Sequence, residues 1–253
     1  MINTFGEYIV NLDEVDSTNN YAKSLLCHNS VPQGSVVSAL HQTAGRGSGG
    51  TSWWCPKGQG LLLTYILYPG DMSVSDHFVI NQAVSLALAD FIRSYVRKKV
   101  FVKWPNDILV DQYKIAGILI ENRVKGNSFD YVLAGVGVNV YQEVFPAHIP
   151  YATSIKLNGE CGDPGKLLID RLSGYLHVRF NELMNGEYMT LKNDYMDVLW
   201  KLNKLHLFRA QSETFYGIIR DVNRDGQIII ERKNGRQQAY GFKEVVFALF
   251  SSE

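Results

Sequence analysis

The sequence lacks an excess of charge of either sign. Its 253 residues include 25 lysine and arginine residues and 25 aspartate and glutamate residues, so the formal net charge is zero. Proteins that hold a phosphate backbone draw much of their affinity from a surplus of basic side chains. We therefore expect no DNA or RNA partner.

Cysteine is scarce, and histidine shows no metal-binding spacing. The three cysteines, Cys27, Cys55 and Cys161, are odd in number and form no C-x-x-C pair. We expect reduced thiols in a cytoplasmic protein, because disulfide frameworks pair their cysteines and belong to oxidising compartments. The six histidines are not spaced as metal ligands with carboxylates or thiols. No metal site made of protein side chains is predicted.

Long hydrophobic runs are also missing. The apolar segment Leu61–Leu67 is far shorter than the roughly 20 residues of a membrane-spanning helix. The acidic N-terminal segment lacks the basic flank and apolar stretch of a signal peptide. The chain contains no Walker A loop, no G-x-S-x-G elbow and no G-x-G-x-x-G motif that opens a strand–helix unit. We expect no membrane association and none of the sites that these motifs form.

The residues that are present suffice for a large core, since 46% are hydrophobic and 12% aromatic. Hydrophobic spacing predicts both strands and helices in the first 203 residues. The predicted strands are Glu7–Val15, Ser35–His41, Leu61–Leu67, Phe101–Trp104, Ile108–Val110, Ile115–Ile120 and Tyr131–Val140. The predicted helices are a short one capped by Ser17 or Thr18, then Ser75–Val96, Pro164–Met184 and Glu187–Leu202.

The texture changes after about Lys204. Short β-rich runs are separated there by Asp225-Gly226 and Asn234-Gly235, dipeptides typical of tight hairpin turns. The sequence therefore predicts two domains, a catalytic domain of mixed helices and strands at 1–203 and a small all-β domain at 204–253.

A glycine-rich segment follows the second predicted strand. Residues 42–60 contain six glycines, and Arg46 lies between two of them. Glycines let backbone N–H groups approach an anion closely, and arginine adds a charged fork suited to phosphate or carboxylate. The segment is either an anion-binding loop or an ordinary flexible surface loop, and its composition alone does not decide.

A second unusual segment is Lys103-Trp104-Pro105-Asn106-Asp107, followed by Lys114. Pro105 disfavours a helix at Trp104, and the Asn-Asp pair favours a turn. If the chain turns again at residues 111–112, Lys103, Asp107 and Lys114 gather at one end of a sheet. The alternative is a hairpin with ordinary charges at its ends.

A third segment, Ala134–Val140, alternates small residues with valines. Such a strand is approached closely by another group, and packing is a more common reason than ligand binding.

Together these segments resemble the biotin protein ligase family. GRGSGGTSWW is similar to the family loop GRGRRGRxW, KWPNDILVDQYKIAGILIE to KWPND…KxxGIL(V/I)E, and GVGVNV to GxGINV. DSTNNYA at 16–22 and ATSI at 152–155 match further family strings, and the similarity runs from about Leu12 to the C-terminus. The resemblance implies an α+β fold like that of class II synthetases, with helices on a mixed sheet and a small C-terminal SH3-like barrel.

The resemblance also implies an activity. Biotin is activated with ATP and Mg²⁺ as biotinyl-AMP and then transferred to a lysine of a biotin carboxyl carrier protein. A lipoate or octanoyl ligase or transferase of the same fold is the alternative within enzymes, and the KWPND segment and GRGxxG loop favour biotin. A biotin-sensing protein without catalysis is the alternative of another class, which an intact Arg46, Asp107 and Lys114 disfavour.

Individual roles follow from the resemblance. Arg46 faces the biotin carboxylate and the α-phosphate, Lys114 lies between that carboxylate and ATP, and Asp107 receives the proton of the acceptor lysine. The implied biotin-binding residues are Ser17, Thr18, Asn19, Gln42, Gly45, Arg46, Gly47, Lys114 and Gly117. The implied ATP-binding residues are Arg46, Trp53, Asn106, Lys114 and Asn139.

The chain departs from the family loop at three positions. Ser48 and then Gly49 stand where the family loop GRGRRGR has two successive arginines, and Thr51 replaces its last arginine. The resemblance therefore implies weaker retention of the adenylate, unless another cation such as Lys57 or Arg123 takes over.

Some family members carry an N-terminal helix-turn-helix and act as repressors. Only 16 residues precede Ser17 here, too few for two helices and a turn. We expect a monofunctional ligase, monomeric or homodimeric.

Overall fold

The computed structural model describes residues 5–160, 162–211 and 213–248. The strands within these ranges are β1 (Ile9–Val15), β2 (Ser35–Gln42), β3 (Gly60–Leu67), β4 (Val100–Lys103), β5 (Asp107–Val110), β6 (Tyr113–Lys125), β7 (Ser128–Asn139), β8 (Leu205–Ala210), β9 (Glu213–Val222), β10 (Ile228–Arg232), β11 (Gln237–Tyr240) and β12 (Val245–Phe247). The α-helices are α1 (Thr18–His28), α2 (His77–Arg93), α3 (Ile155–Asn158), α4 (Gly165–Met184) and α5 (Tyr188–Asp197).

The first seven strands form one sheet in the order β1-β2-β3-β7-β6-β5-β4. β1 and β2 are parallel, with α1 as the connection between them, and the remaining neighbours are antiparallel. Parallel neighbours need a crossover of this kind, whereas antiparallel ones can be joined by short turns. The predicted α+β class with a mixed sheet is confirmed.

Helices cover both faces of this sheet. Side chains alternate along β3, so Leu63 and Tyr65 enter the main core with α2 and α4, while Ile66 faces the other way. Ile66 packs there with Val37 and with Ala22 of α1. A strand buried on both faces carries few polar side chains, which explains why the run 61–67 is apolar apart from Thr64.

The C-terminal strands form a second, antiparallel sheet in the order β11-β10-β9-β8-β12. Its core residues, among them Phe208 and Ile219, belong to the same apolar cluster as the first sheet. Trp104 donates a 2.8 Å hydrogen bond to the Gly226 carbonyl, and Arg224 pairs with Asp76 at 2.6 Å. Closure into an SH3-like barrel and the boundary after residue 203 stay predictions.

Two predicted elements differ from the structure by five or more residues at one end, and the others by at most a few residues at their ends. The helix expected over Glu187–Leu202 ends at Asp197, because Val198–Trp200 pair with β4 instead. Val102 donates to the Val198 carbonyl at 2.9 Å and accepts from the Trp200 amide at 2.8 Å. The strand expected over Ile115–Ile120 spans 13 residues in β6, since it pairs with β5 at its start and with β7 from Ala116 to Lys125.

The described thiols are unpaired, as expected for reduced cysteines: Cys27 is exposed and Cys55 partly buried. Burial raises the pKa of the Cys55 thiol to about 12. Cys161, which was predicted to be reduced as well, lies outside the described residues.

Candidate active site

The hairpin built from β4, β5 and β6 brings three charged side chains to one end of the sheet. Lys103 ends β4 opposite Asp107, which begins β5, and β6 returns antiparallel with Lys114. Nζ of Lys114 lies 2.6 Å from Oδ1 of Asp107. Burial lowers the pKa of Lys103, against the raising effect of Asp107. The sequence-based expectation that these three residues gather is confirmed.

Backbone contacts fix the position of Lys114. Its N–H donates to the Tyr151 carbonyl at 2.7 Å, and its carbonyl accepts from Thr153 at 2.8 Å. In the preceding turn, the buried Asn106 side chain donates to the Ile118 carbonyl at 2.7 Å. The ammonium group of Lys114 therefore projects from a backbone that is bonded on both sides.

The glycine-rich loop at 45–53 folds back on itself above this hairpin. The Gly47 amide donates to the Thr51 carbonyl at 2.7 Å, and the Trp53 amide donates to the Gly45 carbonyl at 2.9 Å. Nη2 of Arg46 lies 2.5 Å from Oε2 of Glu121. Both side chains of this pair are about 40% exposed, so water screens the pair and an incoming anion can compete for the guanidinium.

A chain of hydrogen-bonded polar side chains runs from Glu121 to Gln42 through the buried Asn19, Thr64 and Thr18. Asn19 donates to Glu121 at 2.7 Å, and Thr64 lies 2.6 Å from Asn19 and 2.8 Å from Thr18. The Thr18 amide and hydroxyl both donate to Oε1 of Gln42. These contacts fix the side chains in one arrangement at the N-terminus of α1.

Trp53 lies flat over two glycines of neighbouring strands. A β-carbon on Gly137 would stand 2.5 Å from the indole Cε2, and one on Gly117 would stand 2.9 Å from Cζ3. Only glycine leaves room for the ring at these two positions. Nζ of Lys114 is 5.4 Å from the ring centroid. Among the described residues the buried Nε1–H of Trp53 has no hydrogen-bond partner, which leaves a donor for a ligand.

Two adjoining cavities meet at Trp53, Asp107 and Lys114. The inner cavity is narrow and is lined by the polar chain, the loop and the glycine strands. The outer cavity has a volume of about 490 Å³ and is lined by aromatic and basic side chains of both sheets and by segment 148–152.

The structure brings nearly all the predicted site residues to these cavities. Those that line the inner cavity are Ser17, Thr18, Asn19, Gln42, Arg46, Gly47, Trp53, Asn106, Asp107, Lys114 and Gly117. Asn139 lines the outer cavity, and its side chain also donates to the Thr153 carbonyl at 3.0 Å. Gly45 lines neither cavity; its carbonyl accepts the hydrogen bond from the Trp53 amide that joins the two ends of the loop.

Sequence reasoning gave no role to several neighbours of the site. Glu121 directly follows the apolar residues of β6, and a carboxylate at the end of such a run could have indicated a partner for a cation of the site. Trp200 and His206 line the outer cavity, and neither could be placed there without the pairing of segment 198–200 with β4. Gly135 and Gly137 line the inner cavity, so the strand explained by packing also borders the site.

Comparison with known proteins places this architecture in a family. Residues 12–139 match the biotin/lipoate A/B protein ligase family. The bifunctional ligase/repressor BirA of Bacillus spizizenii is 29% identical over 245 residues, which cover 93% of this chain and 73% of that protein. The biotin--[acetyl-CoA-carboxylase] ligase of Paracoccus denitrificans is 28% identical and covers 89% of this chain and 95% of its own.

Among solved structures, the biotin protein ligase of Aquifex aeolicus in complex with biotin and ATP superimposes with a TM-score of 0.78. The two sequences are 21% identical, and the matched region covers 95% of this chain and 98% of the Aquifex aeolicus chain. The chain belongs to the biotin/lipoate A/B protein ligase family.

Neither a membrane-spanning helix nor a cluster of three metal-ligating side chains occurs in the described residues 5–160, 162–211 and 213–248. No helix in these ranges combines the length and apolar character of a membrane span. In the same ranges, histidine, cysteine and carboxylate side chains form no cluster of three that could hold a metal ion.

Proposed function

We propose that this protein is a biotin protein ligase. It joins biotin and ATP to biotinyl-AMP and pyrophosphate, and then transfers biotin to a lysine of a biotin carboxyl carrier protein. The observation that carries the proposal is the junction of the two cavities, where Arg46, Asp107 and Lys114 line a polar inner pocket that opens into a larger aromatic one.

The first step brings two anions together. A biotin carboxylate oxygen forms a bond to the α-phosphorus while the bond from that phosphorus to the bridging oxygen of the β-phosphate breaks, and pyrophosphate leaves. Lys114, at the junction, and Arg46, at the rim, place positive charge where the five-coordinate phosphorus develops negative charge. Preorganised charge of this kind is the largest single contribution in many enzymes.

The second step needs a neutral amine. A free lysine has a pKa of about 10.4 and is almost fully protonated near neutral pH. We propose that Asp107 accepts the proton as the acceptor amine attacks the acyl carbon and AMP departs. Asp107 lines both cavities, so its carboxylate can reach an amine that enters from the outer one.

The polar lining of the inner cavity favours biotin over lipoate. The ureido ring of biotin offers two N–H donors and one carbonyl acceptor, which match the buried side chains of Ser17, Thr18 and Asn19. A dithiolane ring offers only weakly accepting sulfurs. Each buried polar group left unpaired costs about 1–3 kcal/mol, so a polar pocket rejects a ligand that cannot bond to it.

Mg²⁺ is proposed to arrive with the phosphates of ATP. Magnesium sites commonly use one or two carboxylates together with substrate phosphates and water, and Asp107 is a carboxylate in the right place. Bound there, the ion would neutralise phosphate charge. The neutral net charge gives no reason to propose a DNA partner, and the free Cys27 and Cys55 fit the cytoplasm.

The first half-reaction tests the proposal. The protein is incubated with ATP, Mg²⁺ and either biotin or lipoate, and pyrophosphate and the adenylate are measured. We expect stoichiometric biotinyl-AMP and no lipoyl-AMP. Lipoyl-AMP alone would support the lipoate alternative, and tight biotin binding without pyrophosphate would support a sensor.

A further inference from the structure

The C-terminal sheet reaches the glycine-rich loop through one side chain. Nζ of Lys243 donates a 2.5 Å hydrogen bond to the Gly49 carbonyl, between residues 194 positions apart in sequence. Lys243 lies in the turn between β11 and β12, which Gly241 and Glu244 close with two mutual hydrogen bonds of 2.6 and 3.1 Å. A short, closed turn therefore presents the ammonium group to the loop.

The loop is shaped to receive this turn. Gly49 has a φ of +67°, and a β-carbon there would stand 2.3 Å from Cε of Lys243 and 3.0 Å from Cε1 of Phe242. Any side chain on Gly49 would push the lysine away. The replacement of arginine by glycine at this position thus makes room for a cation that comes from the other sheet.

The C-terminal sheet that carries this turn is held against the first sheet independently of the loop, through its β9–β10 turn. Trp104 bonds to Gly226 in the same C-terminal sheet, and Arg224 pairs with Asp76. The two cations named from the sequence as substitutes are engaged elsewhere: Lys57 lies 2.6 Å from Asp13, and Arg123 lies 3.3 Å from Asp130. Neither lines the inner or the outer cavity.

We propose that Lys243 is a positioning residue that holds the glycine-rich loop closed and so slows escape of the acyl-adenylate. The loop borders the inner cavity with Arg46, Gly47 and Ser48, so its opening uncovers whatever is bound there. A closed lid keeps a reactive mixed anhydride from water. The effect on the adenylate rests on the proposed function, whereas the effect on the loop does not.

The test compares Lys243→Met with Lys243→Arg, which keeps the donor, and with Lys233→Met, which removes a lysine from the same sheet. Lys233 lies over the Tyr216 ring and lines neither cavity. Hydrogen exchange of the amides at 46–53, without substrates, should be about 3–10-fold faster in Lys243→Met, the size expected for one hydrogen bond. The other two variants should match the wild type.

A second readout follows biotinyl-AMP itself. Release from Lys243→Met should be faster by the same factor, while its rate of formation stays within about twofold of wild type. Unchanged hydrogen exchange in Lys243→Met would overturn the proposal that Lys243 holds the loop closed. Faster exchange with unchanged release would overturn its role in retention. If the wild type forms no biotinyl-AMP at all, the proposed function fails, and the exchange result still decides whether Lys243 holds the loop.

A glycine pair supplies an independent check. Gly50 also has a positive φ, +84°, but a β-carbon there would meet nothing within 4 Å. Gly49→Ala and Gly50→Ala therefore introduce a similar backbone strain, and only the first displaces Lys243. We expect hydrogen exchange of the amides at 46–53 to be faster in Gly49→Ala than in Gly50→Ala. Equal exchange rates in the two variants would contradict the proposal that Lys243 holds the loop closed.

Discussion

The β4–β6 hairpin and the glycine-rich loop border the same inner cavity, but the chain holds them in different ways. Ile108 and Ile115 of the hairpin are fully buried, β5 and β6 are paired on both sides, and the edge strand β4 bonds on its outer side to residues 198–200. No residue from 45 to 53 is buried, and the loop is tied down by a few hydrogen bonds, two of them through the exposed Arg46 and Lys243.

This difference indicates that the hairpin and the loop serve different functions in the site. Reacting groups need positions fixed to within a fraction of an ångström, which a paired strand provides for Asp107 and Lys114. A cover has to open for substrate and product, and weak, exposed contacts allow that. We infer that the hairpin, together with Arg46 of the loop, determines how fast the adenylate forms, and that the rest of the loop determines how long it stays.

The largest expected effect is that of Lys114→Ala. Removing a charge that acts at the transition state costs on the order of 10²–10³ in rate, so biotinyl-AMP formation should fall by that factor. Lys125→Ala, at the exposed far end of the same strand, is the control and should behave as wild type. Single-turnover kinetics measure both. Formation within about threefold of wild type in Lys114→Ala would show that the hairpin does not supply the decisive charge.

A smaller effect is expected on the loop. Ser48 lines the inner cavity and offers a hydroxyl, whereas the arginine of related loops offers a charged fork. A charge-assisted hydrogen bond is worth roughly 1.5–3 kcal/mol, so Ser48→Arg should slow release of biotinyl-AMP about 10–150-fold. Faster leakage in the wild type should also biotinylate bystander lysines at high protein concentration. Unchanged release in Ser48→Arg would mean that retention depends on other groups, with Lys243 as the first to examine.

The smallest expected effect concerns stability. Asn106→Ala removes a buried hydrogen bond to the Ile118 carbonyl and should lower the free energy of unfolding by about 1–3 kcal/mol. Thr51→Ala removes an exposed hydrogen bond to the Ser48 carbonyl and should lower it by about 0.5 kcal/mol or less. Urea denaturation measures the free energy of unfolding of both variants. An equal decrease in the two would contradict the view that buried hydrogen bonds fix the hairpin and exposed ones fix the loop.

Much of the fold could be predicted from local patterns. The apolar run 61–67 and the turn residues of the KWPND segment act over short distances, so strand β3 and the charged hairpin end follow from sequence. The early end of α5 could not be predicted, because Val198–Trp200 leave the helix to pair with Val102, nearly a hundred residues away. Long-range pairing of this kind overrides local helix preference.

The candidate site shows the same limit. Arg46, Asp107 and Lys114 stand out by residue type and spacing, whereas the contact of Lys243 with Gly49 joins two surface turns of different sheets. Neither turn carries a periodic signal that points to the other. The glycine at position 49 looked like the loss of an arginine, and its steric role emerged only from the folded chain.

The complete reaction tests the account most directly. The protein is incubated with ATP, Mg²⁺, an equal mixture of biotin and lipoate, and two acceptor domains, one from a biotin carboxyl carrier protein and one lipoyl domain, and intact masses are recorded. We predict one biotinyl group on the carrier protein and no lipoyl group on either acceptor. Lipoylation of the lipoyl domain, or the absence of any acyl transfer, would contradict the account.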